Sequence, residues 1–83
     1  MNNTLFRILR GFCGITQTEL GAILGLTQST IAKYEIGTLQ ITVTVAEQME
    51  QLAKENGITD FDIMLLTNLI KASADAKKVG AEK

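Results

Sequence analysis

The twenty residues Gln17 to Ile36, QTELGAILGLTQSTIAKYEI, constrain the fold more than any other part of this chain, because they encode two short helices and the turn between them. Leu20 and Leu24 lie one helical turn apart and share a face. Thr16 precedes the apolar run and Glu19 follows three residues later, which is a capping-box arrangement and predicts a helix start at Gln17. Gly25 stands directly after Leu24, where a left-handed cap would end that helix at no steric cost. Thr27 then caps a second helix over Gln28 to Tyr34 or Glu35, with Ile31 and Tyr34 inward and Gln28, Ser29, Thr30 and Lys33 outside, and Gly37 is the stop. Gly21 is a poor helix former inside the first helix, so it calls for a packing reason: close passage of the second helix.

The rest of the chain is also helical in pattern. Helix 1, about Asn3 to Cys13, carries a broad apolar stripe of Leu5, Phe6, Ile8, Leu9, Phe12 and Cys13. The segment from Gly37 to Val43 is expected to be a loop. A capping box of Thr44 and Glu47 then opens helix 4, from Val45 to Asn56, with Met49, Leu52 and Ala53 inward and Gly57 as the stop. The β-branched run from Ile41 to Val45 would be a strand without a partner, so it is assigned to extended loop. Helix 5, about residues 60 to 76, has Phe61, Leu65, Leu69, Ala72 and Ala76 in one sector and Ile63, Leu66, Ile70 and Ala74 in the next. Two apolar sectors exceed what one small core needs. Either the helix is more deeply buried in its own domain, or part of it meets another protein surface.

The residues of the motif resemble the helix-turn-helix of the Cro and repressor-type (Xre-type) family. The resemblance rests on Gly21, Gly25, Leu20, Leu24, Leu26, Ile31 and the Thr16-Gln17 pair; it reaches back to Leu9 and Arg10 and forward through Glu35 and Gly37 to helix 4. It covers about 53 residues, from Leu5 to Gly57. It implies an all-α, five-helix, phage-repressor-like DNA-binding domain, with residues 1–76 as the domain, 17–36 as the helix-turn-helix and 77–83 as a frayed tail.

The implied function is sequence-specific DNA binding by a small dimeric repressor on an inverted-repeat operator, with no cofactor, metal or small-molecule ligand. In this fold class the amino-terminal end of the second motif helix enters the major groove. The resemblance implies base contacts by Gln28, Ser29 and Lys33 and a phosphate contact by Gln17, which also braces Gln28. Thr27, Gln40, Thr42 and Thr44 are further candidates for phosphate contacts, through hydroxyl, amide and backbone donors. Arg10 and Glu35 occupy positions that form a largely buried ion pair in some relatives. Ile63, Leu66 and Ile70 are the expected dimer interface. Relatives often carry lysine, arginine and proline in the loop after helix 3; this chain has Thr38, Leu39, Gln40, Ile41, Thr42 and Val43, so exposed Leu39 and Ile41 are alternatively available to a protein partner. The rival reading is accordingly a protein-interaction module of the same fold, an antitoxin or adaptor.

Charge and composition bear on both readings. The net charge of −1 is unhelpful to a DNA binder, although residues 1 to 45 carry three cations against two acids and so are at +1. Affinity must then come from neutral donors, helix amino-termini and two-fold repetition. Catalysis is not expected, since the chain has no histidine, no CxxC or other metal-ligand cluster and no phosphate-binding glycine loop. The acids read as caps (Glu19, Glu47, and Asp60 or Asp62) or as exposed charges. Cys13 has no second cysteine to pair with and reads as a small core residue in a reducing compartment. No membrane or secretion signal is recognisable, which places the expected protein in a bacterial cytoplasm, encoded by a phage or mobile element.

Overall fold

The computed structural model describes the backbone over residues 1–81 and side chains over residues 1–74. Among the described residues the chain is all-helical: α1 Asn3–Cys13, α2 Gln17–Leu24, α3 Gln28–Ile36, α4 Val43–Glu55 and α5 Asp60–Ala81. The expected frayed tail, 77–83, lies outside the described side chains.

One capping chemistry opens all five helices. Asn2 Oδ1 accepts from the backbone N–H groups of Thr4 and Leu5, and the hydroxyls of Thr16, Thr27, Thr42 and Thr59 each accept from the N–H three residues on. At α2 the box is reciprocal, with Glu19 returning a bond to the Thr16 N–H at 2.8 Å. At α5, Asp62 plays the same part, accepting from the Thr59 N–H at 2.9 Å. Each cap satisfies amides that the helix itself leaves unpaired.

These helices close over one core. Phe6, Leu9, Leu20, Ile31 and Met49 are fully buried, and Leu5, Tyr34, Ile41, Val45, Ala46 and Ala53 complete the cluster. The rings of Phe6 and Tyr34 meet edge to face with centroids 5.8 Å apart, which joins α1 to α3. Gly21 explains the tight α2 to α3 turn. A Cβ there would lie 2.6 Å from the Leu26 carbonyl oxygen, so it is the turn backbone, rather than a side chain of the second helix, that requires glycine. Gly25 takes the left-handed conformation, φ 71°, that ends α2.

Four expectations are corrected. Helix α4 begins at Val43 on a Thr42 cap, not at Val45 on a Thr44–Glu47 box. With Thr42 as cap, Ile41 falls just before it and Ala46 at the fourth helical position; both are buried, as in a hydrophobic staple. Ile41 is therefore a core residue, not an exposed one. Phe12 is 63% exposed and leaves the α1 stripe, because only Leu5, Phe6 and Leu9 fit beneath that helix, with Cys13 half-buried at its end. On α5, Ile63, Leu66 and Ile70 are half-buried against this chain's own core, and Phe61, Met64, Leu65 and Leu69 are the exposed apolar residues. A helix resting on one core can seat one sector only, and the Ile63 sector is the one that faces α1 and α4.

The glycines give a paired test. Gly21→Ala is expected to destabilise by about 1 to 3 kcal/mol through overpacking against backbone that cannot yield. Gly11→Ala, on exposed α1 surface with open space around its Cβ, should stabilise by about 0.5 to 1 kcal/mol. Urea unfolding of both variants at matched m-value measures the difference.

Candidate nucleic-acid interface

Because α3 is capped by Thr27 and anchored by Ile31 and Tyr34, its first turn stands at the surface. Gln28, Ser29 and Lys33 are exposed there, and no part of α5 covers them. The first turn also carries the positive end of the helix dipole. Next to it, the Thr27 and Thr30 hydroxyls are 3.0 Å apart.

Behind this surface lies a connected polar chain. Glu35 falls four residues after Ile31, in the buried phase of α3, and its side chain is 3% exposed. Arg10 of α1 meets it with two donors, Nε to Oε2 at 2.5 Å and Nη2 to Oε1 at 3.1 Å, and sends Nη1 to the Ile15 carbonyl at 2.8 Å. Gln17 Nε2 donates to Glu35 Oε1 at 3.0 Å. Gln17 Oε1 in turn accepts from Gln28 Nε2 at 2.6 Å, so the first residue of α2 braces the first residue of α3. Asn3 Nδ2 donates to the Glu35 carbonyl at 3.2 Å and ties the two ends of the motif to α1. Among the described residues no buried side-chain polar atom lacks a partner.

Burial by itself would push the Glu35 carboxyl up; the hydrogen bonds from Arg10 and Gln17 and the positive charges of Arg10 and Arg7 outweigh it, and the carboxyl lies below its ordinary range. Arg10 is raised by its bond to Glu35, against the opposing effect of burial. Glu19 is also lowered, chiefly by the Thr16 backbone N–H.

Sequence reasoning placed Arg10 against Glu35 and Gln17 against Gln28 but missed the bond that joins the two pairs. It also missed Asn2 and Asn3. A carboxylate in the buried phase of a helix demands more than one donor, and the amide at Gln17 was the nearest unassigned one. The remaining candidates lie around the tip without being joined to this chain of bonds. Gln40, Thr42 and Thr44 are exposed, the Thr42 hydroxyl being engaged as the α4 cap. The same edge exposes Ile36, Leu39 and Val43, the last at 75%. With Arg10 committed to Glu35, the exposed cations within residues 1 to 45 are Arg7 and Lys33. Among the described residues no cluster of metal-ligating side chains occurs, and no helix is long and apolar enough to cross a membrane.

A short α2, a glycine-bounded turn and an α3 held by its carboxy-terminal half with its first turn free define a helix-turn-helix DNA-binding domain. The family model described as helix-turn-helix matches residues 6–55, more than half of the chain. The protein belongs to this family, the Cro/C1-type or Xre-type helix-turn-helix proteins, and is a DNA-binding regulator by that membership. No curated protein and no solved structure matches it.

Removing one partner of a buried pair strands the other charge, so Glu35→Ala is expected to cost about 3 kcal/mol or more. The sign with pH follows from the lowered carboxyl. Its contribution is fully present above the unfolded value of about 4.3 and is lost as pH falls through the lower folded value. Stability measured by urea unfolding from pH 7 down to 2 should therefore fall below about pH 4 in the parent, with a smaller fall in Glu35→Gln.

Proposed function

We propose that this protein is a dimeric repressor that reads an inverted-repeat operator through the major groove. The observation that carries the reading is the Gln28–Ser29 tip of α3, exposed, pre-braced by Gln17 and flanked by Lys33. Gln28 offers the acceptor and donor that adenine N6 and N7 require; Ser29 and Lys33 supply further contacts, Lys33 donating to guanine O6 or N7. Gln17, Thr27, Gln40, Thr42 and Thr44 contact phosphate and fix register. Two-fold repetition supplies the affinity that a weakly cationic surface lacks, with half-sites about one helical turn, ~34 Å, apart.

The dimer forms through α5. Phe61, Leu65 and Leu69 repeat at four-residue intervals and are 61%, 42% and 65% exposed. With Phe12 of α1, Leu65 and Leu69 line a shallow apolar groove. This sector replaces Ile63, Leu66 and Ile70 as the interface. Placing Phe61, Leu65 and Leu69 against a second copy removes from water the large apolar side chains that one domain leaves uncovered.

The rival, a protein-interaction module, draws on one specific observation, the exposed apolar edge of Ile36, Leu39 and Val43 beside the tip. Selection of bound sequences from a random oligonucleotide pool separates the two. The repressor enriches a palindrome, and the Gln28→Ala, Lys33→Ala double variant enriches none; failure of the parent to enrich any sequence overturns the operator reading. The salt dependence should be shallow. Two exposed cations per subunit give a dimer slope of about −4, and a slope near −10 would show that most of the electrostatic contact lies elsewhere. Leu69→Asp should convert the dimer to monomer in sedimentation velocity and weaken operator binding while leaving the helical circular dichroism signal intact.

A further inference from the structure

We infer that the buried Glu35 carboxylate, acting through Gln17, sets the amide orientation of Gln28 and thereby makes this protein select adenine over guanine at the base Gln28 reads. The inference rests on the proposed reading of Gln28 as a base contact. It concerns residues that never touch the base, and the two ends of the relay lie on opposite sides of the motif, Glu35 in the core and Gln28 at the surface.

The argument is one of hydrogen-bond polarity. A glutamine side chain is a donor at one end and an acceptor at the other, and nothing in an isolated exposed amide favours one orientation over its reverse. An ionised carboxylate is an acceptor only. Glu35 Oε1 takes a bond from Gln17 at 3.0 Å, so Gln17 must present its NH₂ group to Glu35 and its oxygen away from it. That oxygen can only accept, so the atom of Gln28 that meets it at 2.6 Å must be the NH₂ group. Arg10 keeps the origin of the relay charged and in place, with two donors on the same carboxylate. Orientation thus passes from a fixed charge through two amides to the tip.

The consequence falls on the base. With one N–H of Gln28 held by Gln17, the residue retains one free N–H and a free carbonyl oxygen. Adenine offers a donor at N6 and an acceptor at N7, which matches that pair; guanine offers acceptors at both O6 and N7, which sets oxygen against oxygen. Released from Gln17, Gln28 could turn both N–H groups to guanine. Gln17 and Glu35 are therefore positioning residues for discrimination, and Gln17 is the one that can be changed without stranding the Arg10 charge.

The test uses the full chain with Gln17→Met, which keeps the length of the side chain and removes its polarity, and Gln17→Asn, which is polar but too short to bridge, as a second route should the first fail to fold. Gln28→Ala identifies the base position by erasing the preference there. At that position the parent should bind the adenine operator in preference to its guanine counterpart, and either Gln17 variant should lower that ratio by about tenfold, within the range of one bidentate contact. A loss of affinity equal for both operators would mark Gln17 as a phosphate contact only and overturn the relay. So would an unchanged adenine-to-guanine ratio beside a Gln28→Ala variant that has lost it, and this result would leave the DNA reading standing. Absence of any base preference in the parent would overturn both. Independently of DNA, the two Nε2 protons of Gln28 in the free protein should resonate apart from those of an exposed glutamine and revert to them in Gln17→Met. Ordinary exposed-glutamine signals in the parent would overturn the relay.

Discussion

The buried carboxylate of Glu35 is the interaction on which the arrangement of the first three helices depends. It lies in the core phase of α3, receives Arg10 from α1 and Gln17 from α2, and its own backbone carbonyl receives Asn3. A single charged group therefore orders three elements that apolar packing alone would hold together without fixing their angles. Desolvation opposes its ionisation, and the donors around it reverse that balance. Apolar replacement of such a pair can match or exceed its stability, so its contribution is better understood as specificity of arrangement than as net stabilisation.

From that centre the molecule divides into a firmly determined half and a loosely attached one. Phe6, Leu9, Leu20, Ile31 and Met49 pack α1 to α4 into one body, and α3 is held by Ile31, Tyr34 and Glu35 so that its first turn is left to solvent. Helix α5 is seated through Ile63, Leu66 and Ile70, each only half-buried, and turns Phe61, Leu65 and Leu69 outward. A surface with that much uncovered apolar area is unusual for an isolated domain of this size. The weak positive charge of the recognition half points the same way. Discrimination and affinity must both be gained from geometry, by repetition and by prior orientation, because there is little long-range attraction to supply them.

Much of this was legible in the residues. The Thr16–Glu19 box, Gly25 and Thr27 marked the motif because capping and left-handed turns are local chemistry, decided within a few residues of chain. The start of α4 was misplaced because Thr42 and Thr44 are both competent caps. The choice between them was made by the burial of Ile41, a tertiary event. The sector of α5 that packs inward was misassigned for the same reason, since two apolar sectors of similar character look alike until a core is present to receive one of them.

The sequence by itself determined the helices, their order, the glycine-bounded turn and the polar tip of α3, since each follows from short-range sterics and hydrogen bonding. Only the tertiary structure decided which threonine opens α4, which face of α5 is left bare, and that Arg10, Glu35, Gln17 and Gln28 form one continuous chain of bonds. Those outcomes depend on groups up to 25 residues apart meeting in space, and helical phase can place a side chain on a face but cannot name its partner across the core.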